Sequence, residues 1–302
     1  IEFDYGIQAT PVRPLPKNRL TDYQVFHMDA TAQKVEDIFK EFEESEEKGR
    51  ELIKAIAENG VQYFLILGWV EIMNTLKPFH EEKFKKFVSI CHEYGLKVMA
   101  YTGYEYATAR PDWSEKAHTY LLKNTKGRLC DGWLMPPPLH PWHRAYTVCM
   151  NSKFANEFIE EVAYAMDNYG IDAIYIDGGF NPWECANESH GCGYRDKEGN
   201  LHHTYPIFGV REFAKKLYKT VHDRGGILEV HQSATCTVTT MAFTDLSFTG
   251  ENIQGLIIDN PKYLRYDAFR AEHCGINTGI NTQFMAIEQD EVGISTFAAI
   301  TL

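Results

Sequence analysis

Long apolar runs are missing from this sequence. The densest apolar stretch, residues 61–70, is long enough for a strand but well short of the roughly 18 residues of a membrane-spanning helix. Positive charge is also scarce, because 30 Lys and Arg stand against 42 Asp and Glu, for a net charge of −12. The sequence therefore predicts neither membrane insertion nor binding to nucleic acid.

Several catalytic signatures are absent as well. The sequence contains no Gly-X-Ser-X-Gly nucleophile elbow and no glycine-rich dinucleotide fingerprint after its first predicted strand. That strand reads FHMD around His27 and lacks the His-X-His pair of a metal-dependent amidohydrolase barrel. Serine hydrolase, dinucleotide-dependent and amidohydrolase chemistry are therefore not predicted.

Cysteine is sparse, with seven residues in 302, so a disulfide scaffold is excluded. Cys185 and Cys192 lie in one short loop and are predicted either to bridge or to be neighbours that shape it. His190, Cys192, His202 and His203 are close in sequence, but their spacing matches no standard zinc pattern. We therefore predict no metal and no cofactor. The other cysteines are interpreted as ordinary thiols: Cys91, Cys130, Cys149, Cys236 and Cys274.

Strand and helix patterns alternate along the whole chain. This rhythm is typical of a (β/α)8 TIM barrel, here with long loops after strands 3 and 4. An open doubly wound sheet is the alternative, which the missing glycine fingerprint disfavours. We interpret residues 1–302 as a single catalytic barrel cut from a longer multidomain chain. Strands are predicted at 23–29, 61–69, 96–101, 171–177, 227–232, 245–251, 276–284 and 294–302, and helices at 33–58, 81–94, 154–168, 208–224 and 261–273.

Four of the five tryptophans lie in the two long loops, at about residues 102–150 and 178–206. On the predicted strand assignment, all five tryptophans lie at or after the carboxyl end of a strand, and none lies on a packing helix. Rings of this kind stack on sugars, although they would also pack the loops onto the barrel. The five are Trp69, Trp113, Trp133, Trp142 and Trp183.

Two acidic residues end predicted strands. Asp177 follows the apolar run IDAIYI and precedes two glycines, and Glu251 ends the sixth strand. A turn-capping Asp and a loop salt bridge are the plain alternatives. In a barrel both residues would face the pocket at the carboxyl ends of the strands. Glycoside hydrolysis requires such a pair, about 5 Å apart for retention or about 6.5–9.5 Å for inversion.

The same strand ends and loops supply the candidate substrate-binding residues. No metal ligand is included among them. They are His27, Trp69, Tyr104, Glu105, Arg144, Trp183, His190, Tyr194, His231 and Asn252.

Four segments resemble bacterial polysaccharide-degradation proteins. They are residues 8–16 (QATPVRPLP), 175–178 (YIDG), 190–196 (HGCGYRD) and 204–208 (TYPIF). That group, glycoside hydrolases of unassigned function, looks related to glycoside hydrolase family 123. The resemblance implies a barrel flanked by β-sandwich domains in a secreted, periplasmic or cell-surface bacterial protein. Family 123 enzymes use adjacent Asp and Glu in substrate-assisted catalysis, whereas here Asp177 is followed by Gly178.

A second resemblance is to α-galactosidase-like barrels. These place a nucleophilic Asp on strand four and an acid/base on strand six, which Asp177 and Glu251 match. We therefore predict a glycoside hydrolase acting on a poly- or oligosaccharide, with retaining, inverting and substrate-assisted mechanisms all open. The alternative is a non-catalytic carbohydrate-binding barrel.

Overall fold

A parallel sheet of seven strands forms the centre of the protein. The computed structural model describes residues 5–18, 22–27, 45–67, 69–70, 76–78, 80–134, 143–231, 237, 239–251 and 265–284. The sheet has the order β1-β2-β3-β7-β10-β11-β12. Its strands are β1 (Val25–His27), β2 (Tyr63–Ile66), β3 (Lys97–Thr102), β7 (Ala173–Asp177), β10 (Ile227–His231), β11 (Leu246–Thr249) and β12 (Asn281–Phe284).

Helices connect these strands. They are α1 (Glu46–Glu58), α2 (Glu81–Glu93), α3 (Trp113–Tyr120), α4 (Phe154–Tyr169), α5 (Ile207–His222) and α6 (Tyr266–His273). Ser45 caps α1 by accepting a hydrogen bond from the Lys48 backbone N–H. Gly170 ends α4 with φ 74°, a left-handed conformation that glycine adopts without steric cost. None of the helices in the described ranges is long and apolar enough to cross a membrane.

The sheet curls, so its two faces bury different cores. One core fills the space between the sheet and the helices, and includes Ile174 and Val230. The other lies on the concave face and includes Tyr63, Tyr175 and Leu246. Side chains of β12 reach toward β1, since the Gln283 side-chain amide donates to the Tyr23 carbonyl oxygen at 3.1 Å.

An insertion separates β3 from α4. It contains β4 (Glu105–Ala107), α3, β5 (Asp131–Leu134) and β6 (Arg144–Thr147), with the strands in an antiparallel sheet of order β4-β6-β5. The two ends of the insertion lie side by side, because the Val148 backbone N–H donates to the Tyr104 carbonyl oxygen at 3.0 Å. Between β7 and α5, a shorter insertion carries the hairpin β8 (Tyr194–Arg195) and β9 (Leu201–His202).

The first seven predicted strands are confirmed, and the predicted eighth, 294–302, lies outside the described residues. The long loop predicted after strand 3 is instead a folded insertion with a helix and three strands, so the expectation of a loop was wrong. The strands of that insertion have only three or four residues, which is too short for their alternation to stand out in the sequence. Trp113 begins α3 and stacks on Tyr106, so the expectation that no tryptophan lies on a packing helix was also wrong.

Candidate active site

Polar side chains from three neighbouring strands meet at the carboxyl edge of the sheet. Asp177 is the last residue of β7, and its ladder partner is His231, the last residue of β10. His231 is in turn paired with Phe248 of β11. Aligned residues of parallel strands point to the same face, which is why the pairing brings the carboxylate and the imidazole together.

Asp177 is held by two partners. The Tyr101 hydroxyl donates to its Oδ2 at 2.6 Å, and His231 Nδ1 lies 3.0 Å from its Oδ1. The side chain is 17% exposed, so the carboxylate remains open to a ligand. Each oxygen has its own partner, and the carboxylate is therefore fixed in orientation rather than free to rotate.

Glu251 reaches the same imidazole from the other side. It follows β11 by two residues, after Gly250, whose φ of 103° favours glycine. Its Oε2 lies 3.2 Å from His231 Nε2, and its side chain is 48% exposed. The two carboxylates are thus separated by one imidazole ring. A neutral ring can donate to only one of them, so the proton on His231 decides which carboxylate is hydrogen bonded.

A layer of tyrosines lies below the carboxylate. Tyr101 and Tyr175 are ladder partners on β3 and β7, and their rings stack at 5.3 Å. Burial, and then the charge of Asp177, raises the pKa of Tyr101 well above its usual range. Its hydroxyl therefore stays protonated at neutral pH and remains a hydrogen-bond donor to Asp177.

Glu229 lies in the same strand as His231, two residues before it and on the same face. Its ladder partners are Tyr175 and Leu246, both members of the concave core. The residue is fully buried, and burial raises the pKa of its carboxyl to about 8. Glu229 therefore lies inside the protein, and its carboxyl does not face solvent.

A small cleft opens beside the carboxyl end of β7. It encloses about 210 Å³, counting space open to solvent, and lies between the barrel and both insertions. The rings of Tyr104 and Trp183 stack at 6.3 Å at this cleft, and Trp183 is 45% exposed. Its lining residues are Tyr104, Leu122, Val148, Cys149, Met150, Gly178, Gly179, Asn181, Trp183, Pro206 and Val210.

Gly178 lines the cleft and is the residue directly after Asp177. It follows Asp177 with φ 66°, and a Cβ at this position would overlap the ring of Tyr104. Glycine is therefore required both by the backbone conformation and by the close aromatic neighbour. The described lining of the cleft includes the residue next to Asp177 but not Asp177, His231 or Glu251 themselves.

Two predicted substrate-binding residues lie in the interior. Trp69 is only 1% exposed, stacks on Phe84, and donates from Nε1 to the Tyr101 carbonyl oxygen at 3.0 Å. Glu105 is also 1% exposed, and its Oε2 accepts from the Tyr104 backbone N–H at 3.1 Å. Both follow strand ends in sequence, but their side chains turn into the protein, so neither can contact a ligand in this conformation.

Three further candidates lie away from the pair. His190 lies among cysteines within the loop after β7, with its Nε2 3.3 Å from Cys185 Sγ. Tyr194 is exposed on the β8–β9 hairpin, where it stacks on His202 at 5.0 Å. Arg144 begins β6 with an exposed side chain. Of the ten predicted binding residues, the structure brings His231 to the carboxylates, and Tyr104 and Trp183 to the cleft.

Some candidates fall outside what the structure describes. Asn252 and Trp142 are not among the described residues, and for His27 and Trp133 only the backbone is described. The backbone of His27 ends β1 and pairs with Leu65 of β2. The contribution of Asn252, Trp142, His27 and Trp133 to a site remains a prediction.

Tyr101 and Cys149 were missed by the sequence reasoning. Tyr101 lies within strand three, and its inward direction could have been read from alternation, since Met99 belongs to the concave core. Cys149 lies far from the strand-four loop in sequence, and only the fold brings it to Cys185 and Cys192. His202 and His203, which the sequence grouped with Cys192, instead contact Asp196 and Glu184.

Comparison with known proteins shows the fold. No protein family matches the sequence, and no curated protein matches it. A maltogenic α-amylase, AmyB from Thermotoga neapolitana, superposes with a TM-score of 0.54 at 11% identity, covering 87% of this chain and 59% of the other. The α-N-acetylgalactosaminidase NagBb from Bifidobacterium bifidum, in its Gal-NHAc-DNJ complex, superposes with a TM-score of 0.52 at 12% identity, covering 84% of this chain and 45% of the other.

These similar structures are longer than this chain, which spans about half their length. At such low identity the likeness concerns the backbone alone. The curled parallel sheet is thus one that solved glycoside hydrolase structures also contain.

Proposed function

We propose that this protein is a glycoside hydrolase that acts on a poly- or oligosaccharide through Asp177 and Glu251. The observation that carries the proposal is the shared imidazole, because His231 contacts a carboxylate on each side. Both acids lie at the carboxyl edge of a parallel sheet, which is where barrel enzymes hold their chemistry.

Asp177 is the carboxylate that faces the anomeric carbon. It is the more buried of the two, and Tyr101 and His231 fix its orientation. A fixed carboxylate stabilises the positive charge that develops at the anomeric carbon, or attacks it directly.

Glu251 is the general acid/base. Its half-exposed side chain gives it access to the leaving oxygen and to water. As the glycosidic C–O bond breaks, Glu251 gives its proton to the leaving oxygen, and the carboxylate so formed accepts a proton from water in the hydrolytic step.

Two independent likenesses support this proposal. The similar solved structures include a maltogenic α-amylase and an α-N-acetylgalactosaminidase. The sequence segments around Asp177 and His190 resemble bacterial polysaccharide-degradation proteins related to family 123. On these grounds the proposal extends to an eighth strand at 294–302, flanking β-sandwich domains and export from a bacterial cell.

The proposal is tested with Glu251→Gln on two kinds of substrate. A panel of aryl glycosides and oligosaccharides first identifies a sugar that the wild type hydrolyses. Glu251→Gln is expected to lose about 10²–10⁴-fold in kcat/KM on oligosaccharides, whose leaving groups need a proton. The loss is expected to be much smaller on dinitrophenyl glycosides, whose leaving groups depart without one.

Glu198→Gln is the matched control, since Glu198 is an exposed residue of the β8–β9 turn. Equal losses on both substrate kinds would show that Glu251 is not the proton donor. Sugar binding without hydrolysis of any glycoside would replace the proposal with a carbohydrate-binding barrel.

Trp183→Ala is expected to weaken sugar binding. The exposed ring of Trp183 is braced by Tyr104, and its loss removes a flat apolar surface on which a sugar can stack. We expect a loss of about 1–3 kcal/mol in binding free energy, measured as Kd by calorimetry on an inactive variant. Trp183→Phe should retain most of the affinity. Tyr164→Ala, which removes an exposed ring of α4, should leave Kd unchanged, and an unchanged Kd for Trp183→Ala would exclude the ring from the binding surface.

A further inference from the structure

Three cysteines and one histidine converge where the loop after β7 meets the end of the first insertion. Cys149 follows β6, whereas Cys185, His190 and Cys192 belong to the segment between β7 and β8. One ligand atom from each of the four lies within 4.8 Å of all the others. We call these four residues the cysteine–histidine cluster.

The distances within the cluster match a metal tetrahedron. The sulfur atoms of Cys149 and Cys192 are 3.7 Å apart, and Cys185 Sγ is 3.3 Å from His190 Nε2. Two sulfurs that each lie about 2.3 Å from one tetrahedral zinc ion are about 3.8 Å from each other. A disulfide would instead require about 2.05 Å, and Cys149, Cys185 and Cys192 are not disulfide-bonded.

The histidine is oriented as a metal ligand. His190 Nδ1 lies 2.7 Å from the Thr119 carbonyl oxygen, which can only accept a hydrogen bond. Nδ1 therefore carries the proton, and the lone pair of Nε2 points toward the sulfurs. Histidine ligands of zinc are held in this way, with the other ring nitrogen donating to a carbonyl or carboxylate.

Two of the sulfurs also accept hydrogen bonds from neighbouring amides. Asn151 Nδ2 donates to Cys192 Sγ at 3.3 Å, and the Asn187 backbone N–H donates to Cys185 Sγ at 3.4 Å. Such donors favour the charged thiolate form in which cysteine binds metals.

The types of ligand indicate which metal ion the cluster would bind. Thiolate and imidazole ligands suit zinc, whereas calcium and magnesium require oxygen. The three cysteines are at most 1% exposed. Four protein ligands fill a tetrahedral shell and leave no position for water or substrate, which is the arrangement of a structural zinc site.

We propose that Cys149, Cys185, His190 and Cys192 bind one structural zinc ion. The ion fastens the loop after β7 to the end of the first insertion. This inference stands apart from the proposed glycosidase activity, because it rests on the ligand geometry alone.

The loop contains little regular secondary structure. Its regular elements are a single 3₁₀ turn and the two-residue strands β8 and β9. The separate buried cluster beneath it consists of Leu122 and the three cysteines, with Cys130 packed against them. A core this small stabilises a loop only weakly, whereas a metal ion supplies a strong local cross-link.

The ion also has a consequence for the cleft. Trp183 precedes the ligand Cys185 by two residues, and Cys149 itself lines the cleft. A zinc ion in the cluster would therefore hold the cleft wall and its exposed ring at a fixed distance from the barrel.

Zinc content tests the proposal. The whole chain is produced in zinc-supplemented medium and purified under reducing conditions, and zinc per chain is measured by mass spectrometry. The wild type is expected to carry one zinc ion per chain. Cys185→Ser and Cys192→Ser should each lose most of it, whereas Cys91→Ala, which removes a buried cysteine of α2, should keep one.

Two measurements on the wild type keep the test independent of variant folding. Cobalt(II) added to the metal-free protein should give the intense visible and sulfur-to-metal absorption bands of a tetrahedral, sulfur-rich site. EDTA should lower the melting temperature, and added zinc should restore it. A wild type that carries no zinc, zinc retained by both serine variants, or a disulfide among Cys149, Cys185 and Cys192 in the alkylated protein would each overturn the proposal.

Discussion

Asp177→Asn is expected to lower kcat by about 10³-fold or more while sugar binding survives. Asparagine keeps the shape of the side chain, and its amide can still meet Tyr101 and His231. The substitution removes the negative charge that stabilises a cationic transition state. A neutral sugar in the ground state does not need this charge, so its binding is retained. The measurement is steady-state kinetics on a substrate that the wild type hydrolyses, with Kd determined separately.

Asp223→Asn is the matched control, because Asp223 is an exposed carboxylate just after α5 that pairs with Lys219. It should leave both kcat and Kd unchanged. Wild-type turnover by Asp177→Asn would remove Asp177 from the reaction, whereas an equal loss of binding would show that its role is to hold the ground-state sugar.

Glu229→Gln is expected to stabilise the protein at alkaline pH. With a pKa of about 8 in the folded protein against an ordinary value of 4.5, Glu229 keeps its proton in the folded state where the unfolded chain has lost it. The folded state then binds more protons, so stability falls as pH rises between these values, by up to about 1.4 kcal/mol per pH unit. Glutamine carries no charge at any pH and avoids this loss.

The free energy of unfolding is therefore measured by urea denaturation from pH 5 to pH 9 for both proteins. Glu229→Gln should gain about 2–5 kcal/mol over the wild type across that interval. Glu198→Gln, at an exposed position, should follow the wild type at every pH. Parallel curves for Glu229→Gln and the wild type would show that the buried carboxyl is not the source of the pH dependence.

Most of the fold could be predicted from the sequence because its strands are buried on both faces. The run AIYID in β7 is apolar until Asp177 ends it, and ILEVH in β10 is apolar except for Glu229 until His231 ends it. The same pattern located Asp177 and His231 at the edge of the sheet. The insertion after β3 escaped prediction because its strands are held by pairing across many residues, as between Tyr106 and Tyr146.

Side-chain direction was harder to predict than position. Trp69 and Glu105 follow strand ends, as ligand-binding residues of barrels do, yet both turn inward to satisfy the backbone of β3 and its loop. The cysteine–histidine cluster could not be predicted from the sequence for a different reason. Cys149 and Cys192 are 43 positions apart, and their proximity depends on how two insertions pack against each other.

The hydrogen bond between Val148 and Tyr104 has an evolutionary consequence. An insertion whose ends already touch adds almost nothing to the entropic cost of pairing β3 with β7, and that cost grows only slowly with length. Related chains are thus free to lengthen, shorten or exchange the tip of this segment while the sheet stays unchanged. Its base is constrained, since Tyr106 and Tyr120 pack on Phe154 of α4. Variation between relatives should therefore concentrate between β5 and β6, the part of the insertion farthest from that contact in sequence.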